Sequence, residues 1–244
     1  ECLPLCVVFC LQKKTRYRSK EQHQLMINGL YEVETDLRVL NIPFMLLIGN
    51  PYERLTALFH HTKPTAVYYD FNPLRGPIEL HEKLAKNHDI SMYEIDTHNI
   101  IPARIVSQKM EVGAYTLRPK IHKLLAQYLV EPDALTIHPH HWPGRIMPLL
   151  SLKNEIATLL KSLPTNGSKN TLLGGMLAGR EQLKYFINTK LNTYATDRND
   201  PALDAQSGLS MYLHFGHISS LEVALKLCDL ALHEGKDLHL LLSS

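Results

Sequence analysis

Apolar residues in the first hundred positions fall into short continuous runs separated by stretches with helical spacing. Leu5 to Leu11 reads as a buried strand. Glu21 to Val39 carries Leu25, Gly29/Leu30, Val33, Leu37 and then Leu40 on a helical stripe. Ile42 to Ile48 is a continuous apolar strand closed by the turn residues Gly49, Asn50 and Pro51. A short amphipathic helix over Glu53 to His61, a strand over Ala66 to Tyr69, a helix over Pro77 to Asn87 and a strand over Ile90 to Ile95 complete the alternation. Strands that are apolar on both faces must be covered on both faces, which predicts a parallel sheet flanked by helices. The right-handed crossover then gives a doubly wound α/β domain. No GxGxxG follows any of the strands, so the dinucleotide fingerprint is missing.

After about Ile100 the pattern changes. Glu111 to Leu129 has helical periodicity, with Pro119 placed at a kink or in a first turn. Residues 131–175 hold five prolines and four glycines and read as a connecting segment with one short helix over Leu152 to Leu163. Leu177 to Arg198 reads as one strong helix, with Leu183, Phe186/Ile187, Leu191 and Tyr194 on a single stripe, ended by Asp200-Pro201. Helices over Leu209 to Phe215 and Leu221 to His233 follow.

Composition narrows the class. The chain has 244 residues, 45% of them apolar and 20% charged, which is a globular balance. A net charge of +2 excludes a polycation, so a nucleic-acid site has to be a local patch. The basic run Lys13, Lys14, Arg16, Arg18 and Lys20 is read first as a solvated loop or helix start. Cys2, Cys6, Cys10 and Cys228 form no CxxC pair and behave as small hydrophobes, which favours a reducing, intracellular compartment. Leu3 to Leu11 is too short to span a bilayer and lacks the flanks of a signal peptide. Both ends look cut: the first residue is Glu1, and Leu238 to Ser244 stops within an apolar pattern.

Candidate chemistry lies in the second half. On one helix, Tyr194 and Arg198 would project from the same face, and a phenol beside a guanidinium suits phosphate recognition. Gln206, Ser207, Gly208, Leu209 and Ser210 form a polar loop that opens a helix, where unpaired amides make an anion site. The bland alternative makes Ser207 an ordinary N-cap and Tyr194 a core-edge residue.

The words themselves favour the first reading. Tyr194-Ala-Thr-Asp-Arg-Asn-Asp-Pro201 and Ser207-Gly-Leu-Ser-Met-Tyr-Leu-His-Phe-Gly-His-Ile-Ser219 resemble the flavin-binding segment of DNA photolyases. Ala114-Tyr-Thr-Leu-Arg-Pro-Lys-Ile121 resembles the same family, and all three words are similar to its class II branch within the photolyase–cryptochrome superfamily. The resemblance runs along nearly the whole chain. Met211 departs from it, standing where the family commonly carries proline.

The resemblance implies an α/β antenna-type domain over residues 1–130, a linker over 131–175 and the start of an all-α FAD-binding domain over 176–244. It implies FAD contacts from Tyr194, Gln206, Ser207, Gly208, Leu209 and Ser210, and a DNA-phosphate contact from Arg198. The function implied is light-driven repair of cyclobutane pyrimidine dimers by electron transfer from reduced FAD, a lyase reaction on UV-damaged DNA. The dimer is flipped out of the duplex and the hard chemistry belongs to the flavin. A second, antenna chromophore is compatible with the family, and no ligands are assigned to it. Family members continue past Ser244, and that portion supplies much of the flavin pocket and the tryptophans of the relay. With Trp142 the single tryptophan, this chain is expected neither to hold FAD tightly nor to repair DNA unaided. A monomer with no membrane association is expected.

Other constellations are weaker. His138, His140 and His141 lack a partner to complete a metal site, and no metal is expected. His214 and His217 read as packing residues, and Tyr68, Tyr69 and Phe71 as core at a strand end. Asp200 and Asp204 receive no acid–base role, and no catalytic residue is assigned. Two further readings stay open, a cryptochrome-like flavoprotein photosensor and a non-catalytic α/β remnant.

Overall fold

A computed structural model describes residues 3–12, 19–144, 146–165, 167 and 173–234. The basic run over 13–18 and the apolar end over 238–244 lie outside the described residues. The elements are β1 (Val7–Leu11), α1 (Lys20–Val39), β2 (Phe44–Ile48), α2 (Pro51–Thr62), β3 (Ala66–Asp70), α3 (Arg75–Asn87), β4 (Ser91–Ile95), α4 (Ala103–Val106), α5 (Ala114–Tyr128), a 3-10 turn at Leu149–Leu152, α6 (Lys153–Lys161), α7 (Met176–Thr189), α8 (Tyr194–Asp197), α9 (Ser210–His214) and α10 (Ser220–Glu234). Alternating strands and helices make this an α/β fold, as the hydrophobic pattern predicts. β1 pairs parallel to β2, with Val7 opposite Phe44 and Leu11 opposite Ile48, while β3 pairs with β4.

The chain divides into two compact units. The first takes the described residues within 1–68, 72–93 and 134–176, and the second those within 69–71, 94–133 and 177–244.

In the first unit, α1 is nucleated by a capping box in which Ser19 Oγ accepts from the Gln22 amide and the Gln22 side chain accepts from the Ser19 amide. Its buried face carries Leu25, Met26, Ile27 and Leu30. Glu34 is buried on the same helix, and it accepts from the Leu149 amide at 2.8 Å while pairing with Arg38 at 3.5 Å. These contacts satisfy a carboxylate that burial would otherwise penalise. α6 supplies Ile156, Leu159 and Leu160 to the core. At Asn50 the side chain caps α2 by accepting from Tyr52 and Glu53, with Pro51 in the first turn. One expectation fails here. Tyr68 is 66% exposed and stacks on Tyr93, ring centroids 5.0 Å apart, because alternate residues of β3 and β4 point to opposite faces and this pair falls on the open one.

In the second unit two helices differ from their sequence reading. α5 begins at Ala114 rather than Glu111, since Glu111 is held instead by Lys120 and the Ser107 hydroxyl. Pro119 lies inside this helix, past its first turn. The long helix over 177–198 is broken: α7 ends at Thr189, and Tyr194 begins a separate single turn. Amides of Lys190 and Leu191 both converge on the Phe186 carbonyl, which closes α7. Thr189, Asn192 and Thr193 lie at this break, and such short polar residues compete with helical hydrogen bonding. Thr189 does so visibly, its hydroxyl donating back to the Tyr185 carbonyl at 2.7 Å.

Candidate functional site

The core of the second unit is a cluster of Leu183, Phe186, Leu209, Tyr212 and Ile218, with Tyr194, Leu191, Ile187 and Met211 packed on its edge. α7 and α9 approach closely at Gly179, where a Cβ would lie 3.4 Å from the Tyr212 ring. This packing brings together the two segments singled out by sequence. Tyr194 meets Phe186 edge to face at 5.0 Å, and Leu209 lies in the same cluster. Despite the break in the helix, Tyr194 and Arg198 still share a face: α8 makes one turn and Arg198 caps it, its guanidinium carbon 5.5 Å above the Tyr194 ring.

Between them runs the loop 199–209. Asp200 turns it by accepting from the Ala202 amide at 2.9 Å. Gln206 donates its side-chain amide to the Arg198 carbonyl, tying the loop to α8. Lys190, whose side chain is only 13% exposed, pairs with Asp204 at 2.9 Å and donates to the Gln206 carbonyl at 3.3 Å. Gln182 on α7 donates to the Ser207 carbonyl at 2.7 Å. Sequence reasoning missed Gln182 and Lys190, because nothing local marks a side chain whose partner is a backbone carbonyl more than fifteen residues away.

Ser207 is not the N-cap of α9. Its hydroxyl accepts from the Leu209 amide at 3.4 Å, a local turn, and the cap position is Leu209 with no side-chain bond. The Leu209 side chain is 4% exposed, so only its backbone borders the loop surface. Gln206, Gly208 and Ser210 are exposed and Ser207 is half-buried.

A planar peptide sets carbonyl and following amide in opposite directions. Anchoring the carbonyls of Gln206 and Ser207 on the α7 side therefore turns the amides of Ser207 and Gly208 outwards, and neither donates to a described residue. Gly208 takes φ +71, and Leu209 after it is right-handed at φ −83, ψ −15. Left- and right-handed residues in succession at 208 and 209 gather the amides of Gly208, Leu209 and Ser210 around one concavity, an anion nest, in which the Leu209 amide already donates to Ser207 Oγ. The loop therefore suits a phosphate group, and Arg198 adds a cation with no carboxylate partner among the described residues.

Other sequence candidates resolve simply. Asp204 serves as the Lys190 partner. His217 packs against Tyr212 and Phe215, whereas His214 is exposed against Phe215. His138 turns back onto the backbone of His140. Among the described residues no group of three His, Cys, Asp or Glu could hold a metal ion, and no helix is long and apolar enough to cross a membrane. A groove of about 580 Å³ in the first unit is lined by Arg38, Phe44 and Trp142 among others, and carries none of the sequence-predicted site residues.

The model of the DNA photolyase family matches residues 1–139, more than half of the chain. The chain belongs to the DNA photolyase family. Similarity to curated relatives reaches well past residue 139. A deoxyribodipyrimidine photo-lyase of Arabidopsis thaliana is 32% identical over 231 residues, covering 91% of this chain and 47% of that protein. The photo-lyase of Potorous tridactylus is 31% identical over 227 residues, covering 89% of this chain and 41% of its own length. The chain thus spans about half the length of the photolyases it matches.

Solved structures show the same photolyase and cryptochrome fold. A bacterial class III photolyase from Agrobacterium tumefaciens superposes with TM-score 0.64 at 22% identity, over 94% of this chain and 48% of that one. A cryptochrome from Synechocystis sp. PCC6803 gives 0.70 at 15% identity, over 98% and 53%.

Proposed function

We propose that this chain is the N-terminal portion of a class II photolyase that repairs cyclobutane pyrimidine dimers in DNA with light and FAD. The observation that carries the reading is the nest that opens at Gly208, beside the outward amide of Ser207, built where the flavin-binding words lie. Membership of the family and relatives named deoxyribodipyrimidine photo-lyase support the repair activity. The class II assignment rests on the words over 114–121, 194–201 and 207–219. On this reading residues 1–130 are the antenna-type domain, 131–175 the linker and 176–244 the opening of the flavin domain.

The residues present fit a flavin diphosphate. Glycine at 208 permits the left-handed turn and leaves room for the Gln182 anchor, while the outward amides supply donors for phosphate oxygens. Tyr194, Gln206, Ser207, Gly208, Leu209 and Ser210 would hold FAD, Leu209 through its backbone. Bound FAD supplies the light-driven one-electron chemistry that a protein side chain lacks. The chain's own work is to fix the nest, to pack Tyr194 against Phe186, and to offer Arg198 to a DNA phosphate beside the lesion. UV-damaged DNA is the partner of a monomeric protein, and an intracellular location follows from that substrate.

The test is repair. The full-length protein, reconstituted with reduced FAD and illuminated with blue light, should restore an oligonucleotide carrying one thymine dimer, with none restored in the dark. A flavin-binding protein that leaves the dimer intact under light would be a photosensor instead.

A further inference from the structure

We propose that Gln182 and Lys190 are positioning residues for the anion nest, and that through it they set affinity for the diphosphate part of the flavin. The inference rests on the flavin reading of the loop. Both side chains leave the same stretch of chain, α7 and the residue that follows it, and both end on loop carbonyls: Gln182 on Ser207 at 2.7 Å, Lys190 on Gln206 at 3.3 Å. Neither points at the ligand face. Their action is indirect, because each carbonyl they hold fixes the opposite direction of the next amide in its peptide plane. With both anchors in place, two successive amides face outwards together. Removing one lets its peptide flip, which presents a carbonyl oxygen, repulsive to phosphate, where a donor stood.

Two further contacts make this a braced arrangement. Lys190 is also held by Asp204 at 2.9 Å, so its ammonium is fixed before any ligand arrives. The Gln182 amide lies 2.6 Å from where a Cβ at residue 208 would project, so the short distance depends on glycine there. A donor held in this way limits the loop to few conformations and spares the ordering cost on binding.

The experiment measures dissociation constants for FAD and for riboflavin, which lacks the diphosphate, by flavin fluorescence on the full-length apoprotein. Gln182→Met removes the donor at near-constant volume, and Lys190→Met removes the cation while keeping the stem. Each should weaken FAD about tenfold and leave riboflavin within about twofold, as expected from losing one anchoring hydrogen bond and the nest's alignment. Lys190→Arg, which retains a long cationic donor, should keep FAD binding within about threefold of wild type. Variants that bind FAD like wild type overturn the proposal. So does equal loss of FAD and riboflavin with a lowered melting temperature, since that marks general damage to the unit. A wild-type protein that binds no FAD defeats the flavin reading itself, and this inference with it.

Discussion

The side-chain amide of Gln182 fills the space that any side chain at residue 208 would need, its nitrogen 2.6 Å from the position of a Cβ there. That same nitrogen is the donor to the Ser207 carbonyl. One glycine therefore allows both the left-handed turn, at φ +71, and the anchor beneath it.

Gly208→Ala should be costly for two independent reasons. An L-residue at that φ loses roughly 1–2 kcal/mol, and the new methyl must push the Gln182 amide off its acceptor. A combined loss of about 2–3 kcal/mol in urea unfolding is expected, with FAD binding weakened more than about tenfold. Full flavin affinity with unchanged stability would contradict the geometry.

Arg198 should act on DNA and not on flavin. It stacks on Tyr194 with no carboxylate partner among the described residues, so its charge is available to a phosphate. Arg198→Ala should weaken binding of dimer-containing duplex and reduce the slope of log K against log salt by about 0.9, the contribution of one phosphate contact. Filter binding across a series of salt concentrations would read this. An unchanged slope would remove Arg198 from the interface, and a changed FAD affinity would move it to the cofactor.

Much of this is legible in the residues, and what is not has a physical cause. Among the described residues the four strands and most helices lie where the apolar pattern puts them, since a short apolar run or a helical stripe is a local signal. The same pattern carries the helix of α7 through Arg198, past its true end at Thr189. The stripe Leu183, Phe186/Ile187, Leu191, Tyr194 does continue in space, but through packing onto one core and not along one helix. Tyr68 has the residue type of a core position, whereas the face it takes is set by what covers β3. The candidate loop shows in its words, yet its anchors Gln182 and Lys190 are invisible there, because backbone carbonyls leave no trace in composition.

Acid stability should report on Glu111. Its carboxylate accepts from the Lys120 ammonium above all, then from Ser107 and Thr116, and these hold its pKa down at about 2 against an ordinary 4.5. A group with a depressed folded value contributes stability above its unfolded pKa and loses it as pH falls towards the folded one. The second unit should therefore lose stability between about pH 4.5 and pH 2 in part through this residue. Glu111→Gln should flatten that limb of a denaturation-against-pH profile while lowering stability at neutral pH. A profile with the same slope as wild type would show that Lys120 does not hold the carboxylate in solution.

The thiols of β1 and its approach offer a check on the first unit. Burial pushes Cys6 and Cys10 each up to about 11, which keeps both protonated at pH 8. The reactive species is the thiolate, and an exposed cysteine near 8.5 has roughly two hundred times more of it at that pH. Alkylation by iodoacetamide at pH 8 should therefore run about fifteen- to twenty-fivefold slower at these positions than in free cysteine, once the tenfold or so greater nucleophilicity of a more basic thiolate is allowed for. Cys6 and Cys10 share the tryptic peptide that ends at Lys13, so fragmentation of that peptide by tandem mass spectrometry reads each site separately. Because Cys10 pairs in register with Leu47 on β2, unfolding the sheet in urea should release it to full reactivity. Fast labelling of the folded protein would mean that β1 is open to solvent, and the parallel pairing of Val7–Leu11 with Phe44–Ile48 would have to be revised.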